Sequence, residues 1–404
     1  MEWDGHQRGS RAYRRVLAGL FFAGVSTFAQ LYSPQALLPE ISDELRIAPS
    51  TAALTLSVAT IGLAAGVIPW SVLADRVGRV RAMTISLVGA SLLGILMPLA
   101  PSIPLLLTGR FLEGVFLAGV PAAAIAFLHE EIHRTDSGRA AGIYVAGTSV
   151  GGLLGRVVAG PIGEAVSWRV GILTVAVLCA LSTVAFMLLV PRPRGFVRHL
   201  PGTGTAGLAH RLAVNLRSPR LLVLYAQGFL LMGAFVALYN YLGFRLIGAP
   251  FDLPQLVVSL IFFAYLGGTV SASRAGALAA RWGSQRVLVG SGLVMAAGAA
   301  LTMIDQIVVV FAGLLIATAG FFAAHAVASG WTGREATVGK AQAASLYNLA
   351  YYAGSSLFGW FGGVALAAAG WNAVAAIIIA LVLAAGLLAT LLLGSRTAPA
   401  EPSA

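Results

Sequence analysis

The chain has 404 residues, 58% of them hydrophobic and only 10% charged, with a mean hydropathy of +0.87. No soluble domain of that length buries so much apolar surface, so lipid is its solvent. The formal net charge of +11 is scattered over short polar segments with no soluble domain to organise it, which argues against nucleic acid and for topology and contact with anionic lipid.

A hydrocarbon core of about 30 Å needs about 20 helical residues per crossing. Segments of that length recur twelve times, near 16–39, 51–74, 82–101, 104–128, 139–161, 169–190, 220–246, 255–279, 287–304, 308–331, 341–364 and 372–394. The expected fold is an all-α membrane protein of twelve transmembrane helices in two six-helix halves. Residues 1–15 form an N-terminal tail, 16–190 and 220–394 the halves, 191–219 a polar linker and 395–404 a C-terminal tail. Arg residues resist translocation, and a cytoplasmic N-terminus puts Arg14, Arg76, Arg134, Arg198, Arg281, Arg334 and Arg396 inside, leaving Arg46, Arg169 and Arg245 outside. Both termini are then cytoplasmic and the expected location is the inner membrane. The first helix is too long for a signal-peptide core and is expected to stay as an anchor. Trp70, Trp168, Trp282, Trp331 and Trp371 fall near helix ends and are expected as interface anchors. The single Cys179 excludes an intramolecular disulfide and reads as a packing residue.

Two cationic hairpins sit half a chain apart. One holds Asp75-Arg76-Val77-Gly78-Arg79 and the other Arg281-Trp282-Gly283-Ser284. Asp75, at a helix end, is suited to pair with a cation or cap a facing helix, which would latch one conformation. Internal duplication of six-helix halves is a plan that secondary transporters share.

These hairpins resemble the loop signature of the major facilitator superfamily. In the first, Ser71 replaces a Gly while Leu73, Asp75, Arg76, Gly78 and Arg79 match; in the second, Ala280 replaces the acid while Gly276, Leu278, Arg281 and Gly283 match. Arg110-Phe111-Leu112-Glu113-Gly114 is similar to the family's R-x-x-Q-G in helix four. Gly147, Gly151, Gly152, Gly155, Gly160 and Pro161 are similar to the Gly-Pro antiporter motif of the drug:proton branch. The segments at 235–241 and 321–329 look most like the YnfM-like bacterial exporters. The resemblance implies the major facilitator fold and a transporter, with helix ten lining a central cavity.

Ionisable residues inside spans are costly, which makes Arg110, Glu113, Arg156, Arg274 and His325 functional candidates. Arg110 and Glu113 are three apart and share a helix face, either as a structural ion pair or as a pair in which Glu113 carries a proton. The family's usual residue at Glu113 is Gln. Gln30, Tyr32 and Gln35 stand in the first helix, where many drug:proton antiporters place an acid. Arg156 replaces a motif Gly and either snorkels or is buried, meeting Glu113 or an anionic substrate. Arg274 is expected to snorkel. His325 suits a proton relay or a plain hydrogen bond. Tyr239, Asn240 and Tyr241 on helix seven, and Tyr347, Asn348, Tyr351 and Tyr352 on helix eleven, are candidates for lining the cavity. His129, Glu130, Glu131 and His133 superficially resemble a metal site, yet a solvated loop without metal is the expectation.

No phosphate-binding G-x-x-x-x-G-K-(S/T) loop is present, so an ion or substrate gradient must supply the energy. The expected function is proton-coupled efflux of a small organic molecule by alternating access, as a monomer, with no cofactor and no nucleic acid partner. Proton-coupled uptake or uniport is the alternative within transport; a membrane-embedded enzyme or a sensor is the alternative outside it. Three embedded Arg against one embedded acid favour neutral or anionic cargo over lipophilic cations.

Overall fold

In the computed structural model, residues 3–196 and 205–394 are described; Arg198, Arg396 and the 395–404 tail lie outside them. Eleven helical stretches are long and apolar enough to cross a membrane. The last, running from Lys340 to Leu392, is 53 residues, about 80 Å at the α-helical rise and far more than one crossing needs. It leaves helical geometry at Ala369 and Gly370, where Gly370 takes φ 71°. That bend divides it into two crossings, so the twelve expected segments are all present as helix.

In chain order, α1 (Arg11–Tyr32) starts at Ser10, whose hydroxyl accepts from the Tyr13 amide at 3.1 Å. It stops before Pro34, which has no amide proton to continue it, and passes through a 3-10 turn (Ser33–Leu37) into α2 (Leu38–Glu44). Next come α3 (Pro49–Val77) and α4 (Arg79–Leu96), joined by the single residue Gly78. The expected fourth span is two consecutive pieces, α5 (Ile103–Leu117) and α6 (Gly119–Glu131), joined at Ala118. Then follow α7 (Ser137–Ala165) and α8 (Trp168–Leu189). Within the stretch read as a linker lies α9 (Thr205–Arg217); its Leu208, Leu212 and Leu216 recur at helical spacing, a signal masked by the surrounding Pro, Gly and Arg. The rest are α10 (Pro219–Ile247), α11 (Gln255–Ser259), α12 (Ala264–Trp282), α13 (Ser284–Leu301), α14 (Ile307–Glu335) and the bent α15 (Lys340–Leu392).

Two compact units emerge. The first comprises Met1–Gly202, Tyr239–Phe263 and Ser356–Trp371; the second comprises Thr203–Leu238, Ala264–Ser355 and Asn372–Ala404. The first unit therefore includes the C-terminal end of α10, all of α11 and the middle of α15.

Within the first unit α1 and α7 pack backbone to backbone. A Cβ at Gly147, Gly151 or Gly155 would strike the carbonyl oxygen of Phe21, Val25 or Ala29, respectively, and one at Gly24 would meet the backbone of Gly147 and Thr148. The two rows share a four-residue spacing, so the antiporter-like glycines serve as a groove for the first helix. Within the second unit α13 and α14 use the same device, with Gly298, Gly313 and Gly320 each against facing backbone.

Three tryptophans depart from the expected lipid-interface role. Trp70 is buried, its indole donating to the Val115 carbonyl at 2.7 Å, and Trp168 and Trp371 are buried as well. Hydropathy places a tryptophan near a helix end but not on its lipid-facing side. Cys179 is buried, and Arg274 is exposed in the middle of α12.

Candidate functional site

Two of the most buried charges are Arg110 and Glu113 on α5, 2% and 0% exposed. One turn of helix brings Arg110 Nη1 to Glu113 Oε2 at 2.6 Å. The break in α1 supplies the guanidinium with further acceptors. Pro34 cannot donate to the Gln30 carbonyl, and the 3-10 turn loosens the next one; Arg110 donates to the carbonyls of Gln30 at 3.4 Å and Leu31 at 2.8 Å, and to that of Thr55 at 3.0 Å. The second oxygen of Glu113 faces the Gln30 side chain, whose amide nitrogen donates to the Ala90 carbonyl and whose Oε1 has no hydrogen-bond partner. Both side chains lie against Gly94, where a Cβ would stand 3.3 Å from Glu113 Oε1.

Arg156 is buried, not snorkelling. Its Nε donates to Gln35 Oε1 at 2.6 Å and its Nη1 to the Gly152 carbonyl at 2.5 Å. The guanidinium sits over the Tyr32 ring at 4.2 Å and the Phe262 ring at 5.1 Å, which suits a desolvated cation. Gln35 in turn donates from Nε2 to Asn240 Oδ1 at 2.7 Å. Tyr239 stacks on Phe262 at 5.5 Å, and the Tyr241 hydroxyl donates to the Gly359 carbonyl. Ser57 and Thr60 of α3 meet Ser356 of α15 through hydroxyl contacts of 3.1 and 2.8 Å. All of these residues belong to the first unit. The serines and threonines were missed in the sequence because small hydroxyls in apolar helices carry no spacing signal.

The second unit has an aromatic wall. His325 Nδ1 is 2.9 Å from the Tyr347 hydroxyl, and its ring packs on Phe321 at 5.7 Å and Tyr351 at 4.9 Å. Phe321 stacks on Phe235 at 3.9 Å, and Tyr265 and Phe322 pack edge-on against Phe235. Tyr352 meets Tyr351 edge-on. Asn348 is exposed, away from the buried face of its helix. Phe235, Tyr265, Phe321 and Phe322 join the wall without any polar atom to single them out beforehand.

Both hairpins turn at a glycine with positive φ, 99° at Gly78 and 88° at Gly283, a conformation that L side chains avoid. At the first, Arg79 is buried and pairs with Asp75 and, at 3.0 Å, with Glu130, while Arg76 is exposed. At the second, Arg281 is exposed beside the Trp282 ring. In the second unit an ion pair of 2.8 Å joins Arg220 to Glu335.

The loop after α6 is not solvated as expected. Glu131 is fully buried and accepts from the amides of Arg194 and Gly195 at 2.6 and 2.7 Å. The N-terminal segment covers it: His6 bridges Ile132 in parallel fashion, and the Trp3 indole donates to the Glu130 carbonyl at 2.9 Å. Burial and the nearby Arg194 hold the His6 imidazole below its ordinary range. Among the described residues no group of three or more His, Cys, Asp or Glu side chains is placed to hold a metal ion.

Paired glycine hairpins, the run of apolar helices and the glycine groove of α7 all agree with one further observation. The family model of the Major Facilitator Superfamily matches residues 20–329. The chain belongs to that superfamily. Among relatives of the superfamily, the chain is 38% identical over 384 residues to the inner membrane transport protein YnfM of Escherichia coli, covering 95% of this chain and 92% of that one. It is 37% identical over 379 residues to the MFS-type transporter YybF of Bacillus subtilis, covering 94% and 93%. A solved structure of the nucleoside transporter NupG superposes with a TM-score of 0.78, covering 93% of this chain and 99% of that one at 12% identity, a likeness of fold. As a member of the major facilitator superfamily, this chain is a multi-pass membrane transporter and not an enzyme.

Proposed function

We propose that this transporter is a proton-coupled exporter of a small organic molecule, acting as a monomer by alternating access in the inner membrane, with both termini cytoplasmic. The single observation that carries the reading is Glu113: fully buried, one oxygen held by Arg110, the other with only the Gln30 side chain beside it. A carboxylate so placed has an open position for a proton, and protonation removes the charge to which Arg110 is bound. Arg110 also grips the Gln30 and Leu31 carbonyls, immediately before the 3-10 turn that carries Gln35. Loading Glu113 with a proton therefore loosens the turn that holds Gln35 against Arg156 and Asn240, which links proton binding to the substrate-facing residues. Arg156, Gln35, Tyr32, Tyr239 and Asn240 form the polar part of the substrate site in the first unit. Asp75, Arg79 and Glu130 act as a conformational latch. The gathering of Arg residues on one side of the membrane supports the orientation.

The test is pH change inside proteoliposomes loaded with a proton-sensitive dye, screened with neutral and anionic compounds. Substrate-dependent proton flux that is lost in Glu113→Gln is the expected result. Labelled cargo that equilibrates with no proton movement in the wild type would sink the proposal and make the protein a uniporter or exchanger.

A further inference from the structure

Arg156, Gln35 and Asn240 form a relay whose direction is set by chemistry. A guanidinium only donates hydrogen bonds, so the Gln35 oxygen must face Arg156 Nε, at 2.6 Å. That turns the Gln35 amide nitrogen toward Asn240, where it needs an acceptor and finds Oδ1 at 2.7 Å. Asn240 is thereby fixed in turn, its own NH2 group facing away from the relay. Flipping either amide would set N–H against N–H, so the assignment follows from the network. The relay ends on Asn240 Nδ2, which is buried in a residue 1% exposed and has no hydrogen-bond partner. A buried donor without an acceptor is expensive, and native structures rarely leave one without a use.

We infer that Asn240 Nδ2 is a ligand-binding donor, and that the ligand presents an acceptor oxygen to it, a carboxylate by preference. The preference comes from the head of the relay: a cation at one end polarises each amide in line and strengthens the terminal donor toward negative charge. The surroundings complete the ligand's description. Tyr239 stacked on Phe262, with Tyr32 across the guanidinium, gives apolar ring surface beside the polar line, which fits an organic acid with an aromatic or apolar body. This deepens the exporter reading and rests on it for the statement that the ligand is cargo.

The experiment measures binding, not transport. The full-length chain in detergent is titrated, by thermal shift, with three probes of similar size: phenylacetate, phenylacetamide and phenethylamine. In the wild type phenylacetate is expected to bind at least tenfold more tightly than phenethylamine, with phenylacetamide between them. Asn240→Asp ends the relay on an acceptor and should invert that order. Gln35→Glu is the second variant and leaves Asn240 in place. Its introduced carboxylate keeps the bond to Arg156 and turns an acceptor toward Asn240, whose amide must rotate and present Oδ1, so the order should again invert. A merely structural asparagine would weaken all three probes alike or none. Equal binding of acid and amine, no binding of either oxygen-bearing probe by the wild type, or an order unchanged in Gln35→Glu would each overturn the inference. Proton flux in liposomes without acid preference removes this inference and keeps the exporter; acid preference without flux does the reverse.

Discussion

The two units bury polarity in different ways. The first encloses the guanidinium groups of Arg110 and Arg156 and satisfies them with backbone carbonyls, amide side chains and one carboxylate, whereas the second encloses His325 among neutral rings with one hydroxyl partner. The contrast teaches where rearrangement is costly. A charge gripped by several helices at once ties them together, and a stacked aromatic wall slides with little loss of contact.

The sharpest way to break that contrast is to empty its first term. Arg110→Leu leaves Glu113 buried and unpaired and frees three carbonyls, so a loss of about 3–5 kcal/mol is expected, read as a lowered midpoint of thermal denaturation in detergent. The glycine grooves come next. Gly151→Val drives a side chain into the Val25 carbonyl and should cost about 1–3 kcal/mol, while Gly290→Ala in α13, where no atom lies within 4 Å, should be neutral or stabilising by up to about 1 kcal/mol. Equal effects at the two glycines would show that the close approach of α1 and α7 is not maintained. Tyr347→Phe tests the aromatic wall by removing the one hydroxyl on His325, for an expected loss of about 0.5–1.5 kcal/mol in the same assay. Smallest in stability is Asp75→Asn, under about 1 kcal/mol because the carboxylate is 41% exposed. Its effect should fall on turnover of labelled cargo with affinity unchanged; an altered Kd in binding titrations would contradict the latch.

Much of the architecture was legible from hydropathy alone, because a lipid-solvated helix must be long, apolar and internally hydrogen-bonded. The Arg110–Glu113 pair was legible too, since three residues is one helical turn. The line from Arg156 through Gln35 to Asn240 was not: its two bonds span 121 and 205 positions, and no local period links them. Burial of Glu131 was hidden for the same reason, its covering peptide being the far N-terminus. The tryptophans misled because end-of-helix position says nothing about which face a side chain occupies. The turn at Ser33–Leu37 lies inside the stretch read as one span, 16–39, and only the structure ties it to Arg110.

The N-terminal cover over Glu131 has a consequence for how the chain is made. Trp3 bonds a carbonyl 127 residues downstream, and the carboxylate beneath it waits for the amides of Arg194 and Gly195. The segment around Trp3 can therefore take its place only after the chain as far as Gly195 has been made. Its docking waits on segments far along the chain, and an affinity tag placed next to it would load that joint.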